Sequence, residues 1–424
     1  MLQEILRSMA RPPADAAGEE ARPQSVWLSE WARLMLDAYE PGKTVVYTSC
    51  YAFPAELLAA FDVAQFDFEF AAAMFGLNAS AVPRLVEAES RGCPTDMCSL
   101  HRIALGGAFR DEFPKPDLLI TTSHYCDQKS KTNDIVARLY GAEPVLLDVP
   151  GAVTADSVRY VEKQLRGIAR RIAEVSGQRF DEDRLREAVR SANRARRSHL
   201  ALLELLKHRP APWSDVALVP YSIQGRQFSG TPVLERLNQA FVRYMERRIA
   251  SGELEPERHR VFWFAWVPVY ATNIFEVFRA HRVSLPRCET LAVYWDEIDE
   301  QNPFEGLARK CLQDPLVGPH ARRVEGLEIT MDEYHIDGAL LFATPACRNA
   351  NGAYRLLQDS LAALDIPLLT LDMDIGDERG YSPEQVRNRL EVFIEVLDQK
   401  TPRGSAGTSR ASEARRCSKM QARS

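Results

Sequence analysis

The sequence predicts an α/β protein of two flavodoxin- or Rossmann-like lobes with parallel sheets, joined by a helical segment. Three observations carry that expectation. Strand-length apolar runs alternate with helix-length amphipathic segments, the pattern of parallel strands with crossover helices. The alternation occurs in two blocks, separated by a long stretch with helical periodicity only. The 424 residues, 46% of them hydrophobic, suffice for more than one core, at roughly 100–200 residues per domain.

Residues 1–24, rich in Pro, Ala and Glu, show no helical stripe and read as a flexible segment. The first lobe covers 25–150. Thr44–Thr48 is a buried strand, and PAELLAAF opens a helix with Pro54 near its first turn. DLLITTS from Asp117 is the next strand, Lys129–Tyr140 a helix, and PVLLDVP a third strand. The connector, 151–257, holds helices over Ala155–Val175, Asp181–His208 and Val233–Ala250, the second stopped by Arg209-Pro210-Ala211-Pro212. In the second lobe, 258–400, strands are expected from Arg260 (RVFWFAWVPV), Thr290 (TLAVYWDE), Gly338 (GALLFATPAC) and Pro367 (PLLTLDMD). Helices are expected over Asn273–Arg282, Phe304–Leu312, His320–Tyr334, Asn351–Leu364 and Ser382–Leu397. Residues 401–424 are basic and nearly devoid of apolar side chains, so they cannot offset their ordering entropy and read as a disordered tail.

Composition narrows the function. Lys plus Arg number 53 against 59 Asp plus Glu, a net charge of −6, which argues against a nucleic-acid partner. No run approaches the roughly 18 apolar residues of a membrane span. Glu4 and Arg7 stand where a signal peptide needs an apolar core. A cytoplasmic protein without membrane contact is expected, and its eight cysteines are then thiols, metal ligands or redox groups rather than disulfides.

In open parallel sheets the ligand sits beyond the carboxyl ends of the strands. Cys50 closes TVVYTSC, Cys126 closes DLLITTSHYC and Cys347 closes GALLFATPAC, all at that edge. With Thr95 or Asp96 as N-cap, Cys98 falls in the first turn of the helix MCSLHRIALGGAF, where the helix dipole favours a thiolate. Cys288 introduces the strand at Thr290, Cys311 is spaced as an ordinary helix residue, and Cys417 is a bystander in the tail. Each cysteine taken singly also fits a small buried hydrophobe, and the absence of a CxxC pair weighs against a zinc ribbon or a thioredoxin-type centre. His101 and His124 lie near Cys98 and Cys126 and could move protons or hydrogen-bond sulfur; solvated or core-satisfied histidines fit equally. Glu56 could be a catalytic carboxylate, although a first-turn charge complementing the helix dipole is the simpler reading. The run FWFAW from Phe262 reads as a buried strand. No Gly-x-Gly-x-x-Gly, Walker-type loop or Gly-x-Ser-x-Gly elbow is present, so nucleotide chemistry is not expected of this chain.

The segments TVVYTSCYAFPAELLAAFDV, AESRGCPTDMCSLHRIALG, DLLITTSHYCD, HIDGALLFATPACRNANG and PLLTLDMDIGDERGYSPEQVRNRLEVFIEVLDQK together resemble the benzoyl-CoA reductase / 2-hydroxyglutaryl-CoA dehydratase D family, over roughly 25–402. The closing stretch and VSGQRFDEDRLREAV look most like the B-type subunit of benzoyl-CoA reductases. The resemblance implies a 4Fe-4S cluster between two α/β lobes, held by Cys98 of TDMC, Cys126 of HYCD and Cys347 of PACRN. Cys50 stands where some relatives, notably double-cubane proteins, carry cysteine and the reductase B-type subunits do not, which leaves the cluster type open. It further implies a homologous partner subunit, an ATP-hydrolysing activator, ferredoxin as electron donor and an acyl-CoA substrate. Two activities share that scaffold, reduction of an aromatic acyl-CoA and radical dehydration of a 2-hydroxyacyl-CoA. A non-catalytic cluster-binding subunit is a third reading.

Overall fold

The computed structural model of the chain describes residues 1–11, 22–48, 53–213 and 218–400. The first sheet contains β1 (Val45–Tyr47), β2 (Ala64–Phe66), β3 (Leu118–Thr122) and β4 (Glu143–Leu147), in the order β2-β1-β3-β4. The second contains β5 (His259–Ala265), β6 (Val283–Cys288), β7 (Gly338–Ala343) and β8 (Leu368–Asp372), in the order β6-β5-β7-β8. Every pairing is parallel. The two sheets therefore share one topology, and each has a switch point, between β1 and β3 and between β5 and β7, where a crevice opens at the carboxyl edge.

Burial explains the strand sequences. Val45 and Tyr47 enter one core while Val46 enters another, and Leu119 faces the first core while Leu118 and Ile120 face the second. Both faces of the sheet are covered, so these strands read as unbroken apolar runs rather than alternating ones. The FWFAW run forms strand β5 as far as Ala265, with Phe262, Trp263 and Phe264 buried, whereas Trp266, expected within the buried strand, falls just beyond it and is half-buried.

The connecting helices Ala155–Ser176 and Glu182–Leu205 start where their sequences say they should. Thr154 and Ser157 form a reciprocal capping box, Asp181 caps the next helix, and left-handed Gly177 ends the first at φ 66°. Both helices contribute to the second core, and so do Phe304, Leu307 and Leu312 of the helix Pro303–Leu312. The chain thus returns from its second half to cover the first sheet.

Three local expectations are corrected. Residues 2–9, expected to be flexible, form a helix, because Leu2 and Leu6 stand one turn apart and are both buried. No strand starts at Thr290: residues 289–291 make a 3₁₀ turn, and the strand of that unit is β6, which Cys288 ends rather than introduces. Pro286 obscured β6, and the position is tolerated because β6 is an edge strand. The helix expected over 320–334 is divided into a 3₁₀ turn, His320–Arg323, and a helix, Leu327–Glu333, by Gly326 at φ 74°. Residues 401–424 and Cys417 within them lie outside the described residues.

Candidate functional site

Three cysteines are brought to the carboxyl edges of the sheets. Cys126 lies four residues beyond the end of β3, and Cys347 four residues beyond the end of β7. Cys98 is not within the first turn of its helix, as expected with Thr95 or Asp96 as cap; it is itself the N-cap of Ser99–Phe109. Cys347 is likewise the N-cap of Arg348–Gly352, and its sulfur accepts the Ala350 N–H at 3.4 Å. Cys98 makes no such cap hydrogen bond, although the nearby N–H groups of Leu100 and His101 favour its thiolate.

The loops are tied to one another. The Cys98 N–H donates to Gln128 Oε1 at 2.8 Å, joining the Cys98 turn to the segment after Cys126. Arg348, next to Cys347, forms an ion pair at 2.9 Å with Asp127, next to Cys126. The Ser99 hydroxyl hydrogen-bonds Asp374 and accepts the Gly376 N–H at 2.8 Å, fastening the start of the Cys98 helix to the loop after β8.

The electrostatics follow from this proximity. Burial, and then the charges of Cys126 and Cys347, push the Cys98 thiol well above its ordinary range. Burial likewise raises Cys347, partly opposed by N–H groups of its helix and by a hydrogen bond from the Trp266 side chain. Burial would raise Cys126 too, yet the charge of His101 and its hydrogen bond at 3.2 Å outweigh it and hold the thiol below its usual range. The same pairing raises His101 against its own burial. An imidazolium N–H donating to a Cys126 thiolate accounts for both shifts. Among the described residues, no three His, Cys, Asp or Glu side chains stand close enough to hold one metal ion.

The other candidates separate from this group. His124 is buried with its ring 4.8 Å from that of Tyr125. Cys288 is buried against the Thr290 hydroxyl, and Cys311 lies in the second core, where burial pushes its thiol up to about 12. Cys93 is half-buried on the loop ahead of Cys98. Cys50 lies outside the described residues. Glu56 departs from the simpler expectation of a first-turn surface charge. It is fully buried, ion-paired with Lys310 and hydrogen-bonded by the Ser229 hydroxyl at 2.7 Å, and these contacts lower its pKa against the effect of burial.

Two adjoining cavities lie in the molecule. The first, of about 340 Å³, is lined by Tyr125, next to Cys126, and by Trp266, Tyr294, Arg226 and Asp314 among others. The second, of about 530 Å³, shares Arg226 and Thr290 with it and reaches Ser229 and Lys310 beside Glu56. Sequence reasoning missed Trp266, Arg226, Lys310 and Asp314. Trp266 immediately follows β5 and could have been found by the same strand-edge rule; Asp314 sits in an irregular loop and carries no sequence signal.

Comparison with known proteins now decides the family. Residues 50–397 match the family model described as 2-hydroxyglutaryl-CoA dehydratase, D-component. The chain belongs to this family. It is 25% identical over 399 residues to the B subunit of benzoyl-CoA reductase from Thauera aromatica, covering 87% of this chain and 92% of the relative. It is 21% identical over 383 residues to the (R)-phenyllactyl-CoA dehydratase alpha subunit of Clostridium sporogenes, covering 86% and 92%. With the (R)-2-hydroxyglutaryl-CoA dehydratase alpha subunit of Acidaminococcus fermentans it shares 22% over 296 residues, 67% of this chain and 61% of that one. By their names these relatives are subunits of enzymes that convert acyl-CoA thioesters. The two-lobed parallel architecture expected of a D-component chain is the one observed. No helix of the described residues is long and apolar enough to cross a membrane.

Proposed function

We propose that the chain is the iron–sulfur subunit of an ATP-dependent enzyme of benzoyl-CoA reductase type, with Cys98, Cys126 and Cys347 holding one 4Fe-4S cluster. The observation that supports this reading is that the Cys98 thiol feels the charges of both Cys126 and Cys347, on loops from both lobes tied through Gln128 and the Asp127–Arg348 pair, next to a cavity with aromatic walls. When bound, such a cluster supplies single electrons at low potential.

The chain's own residues fit that task. The Ala350 N–H and the Trp266 side chain donate to the Cys347 sulfur and the His101 imidazolium to that of Cys126, which works against burial toward the thiolate state that ligation requires. Cys98, Cys126 and Cys347 are only partly exposed, so the site is largely shielded from water. Glu56, His101 and His124 are the groups offered to move protons, Glu56 bonded to Ser229 and Lys310 of the larger cavity's lining, His101 bonded to Cys126 and His124 packed on the Tyr125 ring. The remaining parts are a homologous partner subunit, an ATP-hydrolysing activator, ferredoxin as donor and an aromatic acyl-CoA as substrate. A 2-hydroxyacyl-CoA dehydratase subunit is the second reading, favoured by the dehydratase relatives.

Anaerobically purified protein is expected to contain iron and acid-labile sulfide near cluster stoichiometry, and Cys98→Ser, Cys126→Ser and Cys347→Ser each to lose most of it. Full iron retention in all three variants sinks the ligand set. Mixed with partner, activator, ATP and reductant, the protein should convert an aromatic acyl-CoA to a diene. Formation of an enoyl-CoA from a 2-hydroxyacyl-CoA without net reduction makes it a dehydratase, and iron without either turnover makes it a cluster-binding subunit only.

A further inference from the structure

The smaller cavity contains a carboxyl group that the fold leaves only half satisfied. Asp314 follows the helix Pro303–Leu312 and is 2% exposed. Its Oδ1 accepts the Leu316 N–H at 2.8 Å, which fixes the side chain's orientation. The residue lines the cavity, and its Oδ2 has no hydrogen-bond partner, standing at ion-pair distance, 3.8 Å, from Arg226 Nη1. Arg226 is itself engaged, donating to the Tyr294 hydroxyl at 2.8 Å and to the Thr290 carbonyl at 3.3 Å. Burying such a group without a partner costs about 1–3 kcal/mol, so an oriented and unsatisfied one marks a place where a ligand atom completes the network. Glu289, the other carboxylate of the same cavity, is fully used by Arg323 and the Ala265 N–H. Burial pushes Asp314 up to about 8, toward the protonated form, in which the group can donate.

The complement of one buried donor in an aromatic-walled cavity is a single acceptor oxygen on an otherwise apolar group. We propose that Asp314 is a binding residue for the acyl moiety, donating a hydrogen bond to the thioester carbonyl oxygen while Tyr125 and Trp266 face the acyl chain or ring. Tyr125 adjoins Cys126 and Trp266 bonds the Cys347 sulfur, so a carbonyl held at Asp314 lies in the cavity that those two residues connect to the thiols. The proposal rests on the acyl-CoA reading above and adds the residue that fixes the acyl group's position.

The test uses full-length protein purified anaerobically, without reductant or ATP, titrated with benzoyl-CoA, (R)-2-hydroxyisocaproyl-CoA and free CoA. Infrared spectra are recorded with a ¹³C-labelled thioester carbonyl. The carbonyl band is expected at lower frequency in the complex than in an apolar solvent. Asp314→Ala should return the band upward and weaken thioester binding roughly tenfold, leaving free CoA unaffected. Asp314→Asn keeps an N–H donor and should retain most of both effects, which keeps the test open if the alanine variant does not fold. An unchanged band and affinity in Asp314→Ala, or Asp314→Asn as weak as Asp314→Ala, overturns the role of Asp314 while leaving the acyl-CoA reading intact. Failure of the unmodified protein to bind either thioester overturns both.

Discussion

Glu56 shows how far a single residue's surroundings can depart from what its neighbours in sequence suggest. Its place in the first turn of Ala55–Ala59 offered a dipole-complementing charge, but its partner Lys310 is 254 positions away, a relation that no local pattern reveals. The cysteines were more legible, because the end of a strand is itself a local signal and parallel topology turns it into a shared location. Removing the ammonium leaves a buried carboxylate, so Lys310→Ala is expected to lower stability by about 3–5 kcal/mol, and Lys310→Ala with Glu56→Gln by clearly less. The pH dependence should also change sign. In the unmodified protein Glu56 titrates below its ordinary value, so its contribution is present above the unfolded pKa and is lost as pH falls. In Lys310→Ala burial, the largest influence, outweighs the remaining Ser229 hydrogen bond and raises the group, so the contribution is lost as pH rises. Melting curves of the two proteins across the acid range to neutrality check both points.

Elements were legible in proportion to their length. The long helices announce themselves by period and caps, whereas β2 has only three residues, Ala64-Gln65-Phe66, and a buried polar centre whose amide donates to the Gln227 carbonyl at 2.6 Å. No alternating or apolar run of useful length existed to find. The helix Ser99–Phe109 depends on close approach rather than on pattern. A Cβ at Gly106 would stand 2.0 Å from the Arg84 carbonyl oxygen, and one at Gly107 would stand 2.7 Å from the Phe113 ring. The first obstacle is backbone of the helix Val82–Ser90 and cannot rotate away. Gly106→Ala is therefore expected to force the two helices apart at about 1–3 kcal/mol or more, displacing Cys98 at the helix start. The measurement is denaturant midpoint together with thiol accessibility at Cys98. An unshifted midpoint contradicts this view of the interface.

At the scale of the molecule, two sheets of the same strand order put Cys126 and Cys347 at equivalent positions, each after the third strand of its sheet. That correspondence was readable as two similar blocks, but the way the lobes are held together was not, since ion pairs between distant segments leave no periodicity. Arg102 is the centre of that attachment. It is 2% exposed, donates to the Met97 carbonyl just before Cys98 at 3.2 Å, and pairs with Glu89 at 2.5 Å and with Asp377 of the second lobe at 3.3 Å. Arg379 pairs with the same two carboxylates at 2.5 and 2.6 Å. Hydrogen bonds from Arg379, and the charge of Arg102, hold Glu89 and Asp377 below their ordinary values. Their contribution is thus complete above the unfolded carboxylate range near 4 and is lost as pH falls through it. Arg102→Ala is expected to cost about 2–4 kcal/mol, less than a lone buried ion pair because Arg379 still faces both carboxylates. The acid limb of the stability profile should become shallower. Because the same guanidinium positions the turn before Cys98, the variant should also bind less iron although all three cysteines are present, and Arg102→Lys should recover part of both losses. Loss of stability with full iron content would mean that the clasp joins the lobes without setting the position of Cys98, and the two functions assigned to Arg102 would come apart.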